Sequence, residues 1–363
     1  MTLDYKSMSD DELLKAYKET EVIISTNHNL QMALKILLNS GYGALANNNF
    51  IYSRVENAES ITTSGQLVNI WTSDRINDLL KSITGIDKRF VFYNDTDSAY
   101  IDCDDIVKEL GLADCDDLNK VVDELDNIIR QVVSPAIDTF TQDLCDYMNH
   151  YENKMVWERE VISPSSIFIA KKRYVMLVID SEGVRYSKPK LKITGLESKR
   201  SSTPQWAKDS LNECYKLAVL DKRNEMYDFI GRFEKNFYKL SPSDIAIPTG
   251  VNGIEKYSND NGYYIKGTPK NVKAAINHNN LVQKLNLKQI QTIQSGNKMK
   301  YVDLIKPNPI NEEVIGFTSG LPPEFKLDKY VDYKEAYYKG FEKPLQNFLN
   351  AIGWTTEPII ELF

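Results

Sequence analysis

The sequence predicts an α+β fold in which helices frame short antiparallel strands. Three observations predict it. Apolar residues recur at helical spacing through most of residues 9–80. The period then drops to two over Arg89–Asp102, where two apolar runs flank a polar turn. Three further strand-like runs lie between Ile167 and Ile193, and helical patterns follow them. With 363 residues, 42% hydrophobic and 26% charged, the chain has globular composition and room for two or three domains.

The elements follow in chain order. A short helix is expected from Ser9 to Lys18, with Ser9 or Asp10 as cap and Leu13, Leu14 and Tyr17 on one face. A second runs from about Asn29 to Leu45 with Leu30, Leu34, Leu37 and Leu38 apolar, and a third from Ser64 to Leu80. The hairpin comes next, then helices over roughly Leu118–Val133 and Ala136–Tyr151. Strands are expected at Ile167–Ala170, Tyr174–Asp180 and Lys190–Ile193, with Glu182-Gly183 as a turn. Ser202-Thr203-Pro204 reads as a helix start, with proline at the first helical position. That helix runs to about Val219, and another spans Asn224–Leu240. Residues 241–325, rich in Asn, Gly and Pro, read as irregular, and a last helix spans about Tyr333–Ala351.

Several classes are disfavoured. Cys103, Cys115, Cys145 and Cys214 form no C-x-x-C pair, and His28, His150 and His278 lack ligand spacing, so reduced cytosolic thiols are expected rather than zinc or disulfides. No apolar run approaches the roughly 18–20 residues that cross a bilayer. The acidic, polar opening over residues 1–14 is not expected to be a signal peptide. The net charge of −7 conceals a segregation. Asp95–Asp146 holds 15 acids and 3 bases, net −12, whereas Lys154–Lys208 holds 12 bases and 5 acids, net +7. A basic stretch beside an acidic one suits a surface that handles a polyanion; segregation by chance on a large surface is the plainer reading.

Two constellations carry chemistry. Tyr93-Asn94-Asp95-Thr96-Asp97-Ser98 places two carboxylates on a tight turn between strands. Hard oxygen donors on a rigid support suit Mg²⁺, although Asp and Asn also favour turns for backbone reasons alone. The second is Lys35, Asn39 and Tyr42, which share one helix face at i, i+4 and i+7, with Gly43 near the helix end. A cation, an amide and an aromatic ring in a row suit a triphosphate, a sugar and a base, and equally an ordinary polar helix face.

Taken in order, these motifs resemble those of family B DNA polymerases. K-x3-N-S-x-Y-G, followed about fifty residues later by Y-x-D-T-D-S, is similar to motifs B and C of that family. Ala170-Lys171-Lys172-Arg173-Tyr174, Glu182–Tyr186, Pro189–Glu197 and Ser201–Pro204 resemble the palm-to-thumb segment of T4-like phage enzymes, as do Asn57-Ala58, Ile61–Thr63, Gly65-Gln66 and Ser134–Asp138. The resemblance covers nearly the whole chain, more strongly up to Cys214.

The resemblance implies an antiparallel palm sheet backed by helices, a helical fingers remnant and a mainly helical thumb. Residues 1–47 would be the fingers remnant, 48–187 the palm and 188–363 the thumb. Lys35 and Asn39 would bind the incoming nucleotide, Lys35 through its triphosphate, and Tyr42 would line the nascent base-pair pocket. Asp95 and Asp97 would be the catalytic, Mg²⁺-binding carboxylates of a two-metal site. Thr96, Lys171, Lys172, Arg173, Tyr174, Lys190 and Lys192 would contact primer–template DNA; lysines on a strand reach phosphates without reading sequence. Lys190 and Lys192 alternate with Leu191 and Ile193, which also fits a solvated edge strand. Asn94 stands where the family usually has glycine, and asparagine there is expected to take the positive φ of the turn.

One block is missing. The family's motif A, a D-x-x-S-L-Y-P-like sequence with the other metal-binding aspartate, does not occur, nor does an exonuclease domain. The expectation is therefore the C-terminal subunit of a split phage polymerase, a nucleotidyltransferase inactive without an N-terminal partner chain, working in the cytoplasm of an infected bacterium. Met1 falls where the family's fingers insertion would be. The substrates implied are dNTPs and primer–template. The apolar end, Glu357–Phe363, loosely resembles the family's sliding-clamp peptide, and a self-packed end fits it as well. The alternative function is a non-catalytic DNA-binding or clamp-tethering remnant.

Overall fold

Residues 10–45 form one helix where two were expected. The computed structural model describes residues 7–115 and 117–357, so the clamp-like tail beyond Glu357 lies outside the described residues. Helix α1 (Asp10–Leu45) runs 36 residues, because Glu19–His28 holds no glycine or proline and helix propagation carries through it. Ser9 starts it: its backbone N–H and hydroxyl both donate to Glu12 Oε2, at 2.9 and 2.8 Å. Asp10, Asp11 and Glu12 place negative charge at the positive end of the helix dipole. No residue of α1 is buried, and Leu30, Leu34, Leu37 and Leu38 are all more than half exposed.

Helix α2 (Val55–Thr84) extends beyond the expected 64–80 at both ends and stops at Gly85, whose φ of 69° leaves the helix. Strands β1 (Val91–Asp95) and β2 (Ser98–Ile101) form the expected antiparallel hairpin, with Asp95 opposite Ser98. Helix α3 (Asp104–Glu109) follows. Helices α4 (Leu118–Ile128) and α5 (Ser134–Tyr147) are joined without a break by a π turn, Ile129–Val133. Pro135 explains it: proline brings no N–H and its ring crowds the preceding carbonyls, and the wider turn relieves both. Trp71 Nε1 donates to Phe140 O at 2.9 Å and ties α2 to α5.

These elements belong to the first of two compact units, Met1–Glu158; the second is Arg159–Phe363. In the second unit, strand β5 (Arg173–Ser181) is central and buried from Tyr174 to Asp180. Short β3 (Val161–Ile162) and β4 (Ser165–Ala170) pair along one side of it, and β6 (Val184–Thr194) along the other, all antiparallel. Residues 187 and 188 fall inside β6. Glu182 and Gly183, both at positive φ, form the predicted turn.

Helix α6 (Gln205–Val219) begins one residue later than its signal implied. Pro204 is the cap residue, and Thr203 Oγ1 donates to Glu197 O at 2.6 Å instead of capping the helix. Helix α7 (Arg223–Phe237) and the single turns α8 (Pro242–Ile245) and α9 (Ile254–Tyr257) follow.

The stretch read as irregular, 241–325, holds a second sheet and a long helix. Strands β7 (Ile247–Gly250), β8 (Lys298–Asp303) and β9 (Val314–Phe317) pair antiparallel in that order, and α10 (Lys270–Lys284) packs on β9. Asn277 of α10 is a core residue because its amide bonds Val314 O at 3.0 Å, and the half-buried Asn279 bonds Ile293 O at 2.8 Å. Helices α11 (Tyr333–Tyr337) and α12 (Lys343–Asn350) are linked by another π turn, Tyr338–Glu342, again just ahead of a proline, Pro344. Tyr215, Phe237, Phe341 and Phe348 are among the fully buried side chains of this unit's core.

Gly195 illustrates how tightly this unit is drawn. At φ 65° it ends the β6 segment, and a Cβ there would lie 1.9 Å from the carbonyl oxygen of Lys172. Gly195→Ala is expected to destabilise the unit by about 3 kcal/mol or more, through left-handed strain and the clash together. Urea unfolding of the full chain checks this; an unchanged midpoint would mean the Lys171-Lys172 turn shifts without cost.

Candidate active site on a hairpin turn

The hairpin presents its two carboxylates differently. Asp95 ends β1 half-buried, and Asp97 stands exposed in the turn. Asp97 N–H donates to Asp95 O at 2.6 Å and Ser98 Oγ donates to the same carbonyl at 3.0 Å. Thr96 Oγ1 donates to Asp95 Oδ1 at 3.2 Å. The left-handed residue is Thr96, at φ 56°, and not Asn94, which pairs within β1 opposite Ala99. The turn therefore bends one residue beyond the first acid, and asparagine at 94 is not needed for its backbone freedom.

The residues that hold this hairpin escaped the sequence reading. Asn69, Thr72, Ser73 and Asn77 are buried on α2 at helical spacing, on the same face as Ile76 and Leu80. Asn77 Oδ1 accepts from Val91 N–H at 2.9 Å, and Asn69 Nδ2 donates to the Thr96 and Ser98 carbonyls. The available signal was a polar run at core positions of an amphipathic helix; Asn69, Ser73 and Asn77 are bonded there, whereas Thr72 Oγ1 and Asn77 Nδ2 have no hydrogen-bond partner among the described residues.

Lys35, Asn39 and Tyr42 all lie exposed on α1, and their spacing puts them on one face over roughly 10 Å of helix. In the second unit, Lys171 and Lys172 form the exposed β4–β5 turn, with Lys172 at φ 60°. Lys190 is exposed above the Tyr186 ring, 3.8 Å from its centre, and Lys192 is partly covered. Two members of the expected DNA set also have protein partners. Arg173 forks onto both Glu197 carboxylate oxygens, at 3.0 and 3.1 Å. Tyr174 is buried, stacked 4.7 Å from Phe168, so it belongs to the core rather than to an exposed strand face.

Carboxylate oxygens on a turn fixed by backbone hydrogen bonds fit a hard cation such as Mg²⁺. The pair offers only part of a coordination shell, and among the described residues no group of three His, Cys, Asp or Glu is disposed to hold a metal. No helix among the described residues is long and apolar enough to cross a membrane.

Residues 11–352 match the sequence profile of DNA polymerase family B. The chain belongs to that family. Among relatives of this family B chain, the DNA-directed DNA polymerase of Escherichia phage RB69 is 34% identical over 99% of the chain, and that of Enterobacteria phage T4 is 31% identical over 96%. DNA polymerase 1 of Aeropyrum pernix is 24% identical over 96%. The family B chain spans 40% of the RB69 enzyme, 39% of the T4 enzyme and 30% of the archaeal one.

Proposed function

We propose that this chain supplies the C-terminal part of a replicative DNA polymerase of phage type, extending a primer 3′ end from dNTPs on a template. The observation that carries this reading is the Asp95–Asp97 turn, rigidly held on its hairpin, in a chain that matches family B over residues 11–352. When bound, Mg²⁺ supplies Lewis-acid stabilisation of charge on the reacting phosphate and hydroxyl oxygens. Asp95 and Asp97 would hold it. Lys35 neutralises the triphosphate, Asn39 orients the nucleotide and Tyr42 closes the base-pair pocket. Thr96, Lys171, Lys172, Lys190 and Lys192 track the primer–template, the lysines through phosphates and without sequence preference.

The reading divides the chain into fingers residues 1–47, palm 48–187 and thumb 188–363. It also assigns the missing carboxylate of motif A, and the exonuclease, to an N-terminal polymerase half on a second polypeptide. The observation that supports a partner is the set of exposed apolar residues along α1. A sliding clamp is a further proposed partner, through the C-terminal tail.

The test is primer extension with Mg²⁺ and dNTPs, using the chain alone and mixed with the N-terminal half encoded in the same genome. Extension only in the mixture is the expected result. Extension by the chain alone would overturn the shared site. A stable complex that binds primer–template without extending it would mark a non-catalytic, DNA-tethering remnant.

A further inference from the structure

The turn that carries Asp95 and Asp97 has a conformational problem. Thr96 is β-branched yet left-handed, at φ 56°, a conformation that persists only where the surroundings over-determine it. Beyond the hydrogen bonds within the turn itself, the surroundings include one buried side chain of α2. Asn69 is 6% exposed, and its amide nitrogen donates to Thr96 O at 3.2 Å and Ser98 O at 3.3 Å, the two carbonyls on either side of Asp97. Its amide oxygen accepts from Asn94 Nδ2 and, at 3.4 Å, from Ser73 Oγ. Asn94 Nδ2 also donates to Ser73 Oγ at 2.5 Å. Every polar atom of the Asn69 amide is thereby used, and the network closes on itself.

We infer that Asn69 is a positioning residue, which fixes the Asp95–Asp97 turn against α2, with Asn94 and Ser73 locking its amide in the donating orientation. The Asn94 side chain has a specific use here: it occupies the Asn69 oxygen, so the Asn69 nitrogen faces the turn. A satisfied buried network of this kind specifies one geometry, and any single member left unpaired is costly. Asn69 touches neither nucleotide nor DNA in this role; it acts through where it holds the two carboxylates. The inference rests on the polymerase reading.

The experiment uses the full chain, alone and combined with its N-terminal half. Asn69→Ala removes the clamp, and Asn69→Leu removes it while keeping the volume filled. Amide hydrogen exchange of residues 96–98 in the full chain is expected to rise in both variants. In the active complex, the Mg²⁺ concentration for half-maximal extension should rise about tenfold, the scale seen when groups supporting metal ligands are removed. The dNTP KM should stay within about twofold while kcat falls, since binding by Lys35 is untouched. Asn69→Ala combined with Asn94→Ala should cost little more than Asn69→Ala alone, because the two act as a unit.

Unchanged exchange at 96–98 overturns the clamp whatever the activity. Faster exchange with an unaltered Mg²⁺ requirement and kcat overturns the positioning role and leaves a stability role only. If the unmodified complex forms and does not extend a primer, the polymerase reading fails instead, and the catalytic meaning of the clamp falls with it.

Discussion

On the proposed polymerase reading, Asp97→Ala is expected to lower primer extension by the chain combined with its N-terminal half about a thousandfold or more while leaving the fold intact. A carboxylate that holds a catalytic cation underlies several kcal/mol of transition-state stabilisation, and each 1.4 kcal/mol is about tenfold in rate. Asp97 is exposed at the tip of the turn, where a substitution typically changes stability by under about 0.5 kcal/mol. Thermal unfolding of Asp97→Ala should therefore overlay the unmodified chain, and primer–template affinity should persist. Asp97→Asn, which keeps the shape and removes the charge, should be nearly as inactive. Asp95→Ala should also be inactive but less stable, since Asp95 is half-buried and accepts the Thr96 hydroxyl. Retention of more than a tenth of the activity by Asp97→Ala would remove that carboxylate from the metal site.

Asp180→Ala should be the most destabilising of the single changes in the second unit, by about 3–5 kcal/mol, because breaking a buried ion pair from one side strands its partners. Asp180 is 2% exposed at the end of β5. Arg159 and Arg185 both bond its carboxylate, the latter at 3.2 Å, and Gly183 N–H adds a bond at 3.1 Å. Burial pushes the Asp180 pKa up, but the two guanidinium groups outweigh it and hold the carboxyl below its ordinary value. The folded state therefore favours the ionised form. Its contribution is complete above the ordinary carboxylate pKa of about 3.9 and is lost as pH falls through the lower folded value. Urea unfolding of the second unit should show acid destabilisation beginning near pH 4, with a smaller acid loss in Asp180→Asn. An unchanged unfolding midpoint in Asp180→Ala would show that the cluster contributes nothing net.

Much of the fold was legible before the structure. The hairpin, the β5–β6 turn and helices α6 and α7 follow from local periodicity and turn chemistry, which act over a few residues. The departures have local causes too. The region 19–28 reads as a gap because its apolar residues do not repeat at helical spacing, yet nothing in it breaks a helix. The pairs α4–α5 and α11–α12 read as separate or simple helices because a π turn ahead of a proline leaves no mark in the pattern. Residues 241–325 read as irregular because four- to six-residue strands and an Asn-rich helix lack a periodic signature.

The candidate site divides along the same line. The sequence by itself determined which residues are candidates for the chemistry: Asp95 and Asp97 on a turn, Lys35, Asn39 and Tyr42 in a row, and the lysines at 171, 172, 190 and 192. These are exposed or half-buried groups whose identity and spacing are written in the chain. Only the tertiary structure decided which residue bends the turn, that Arg173 belongs to Glu197 and Tyr174 to the core, and that Asn69, Ser73, Asn77 and Asn94 hold the hairpin. The reason is physical: the partner of a buried polar group is a long-range contact, 24 residues away for Arg173 and 27 for Asn69, and no local pattern encodes it.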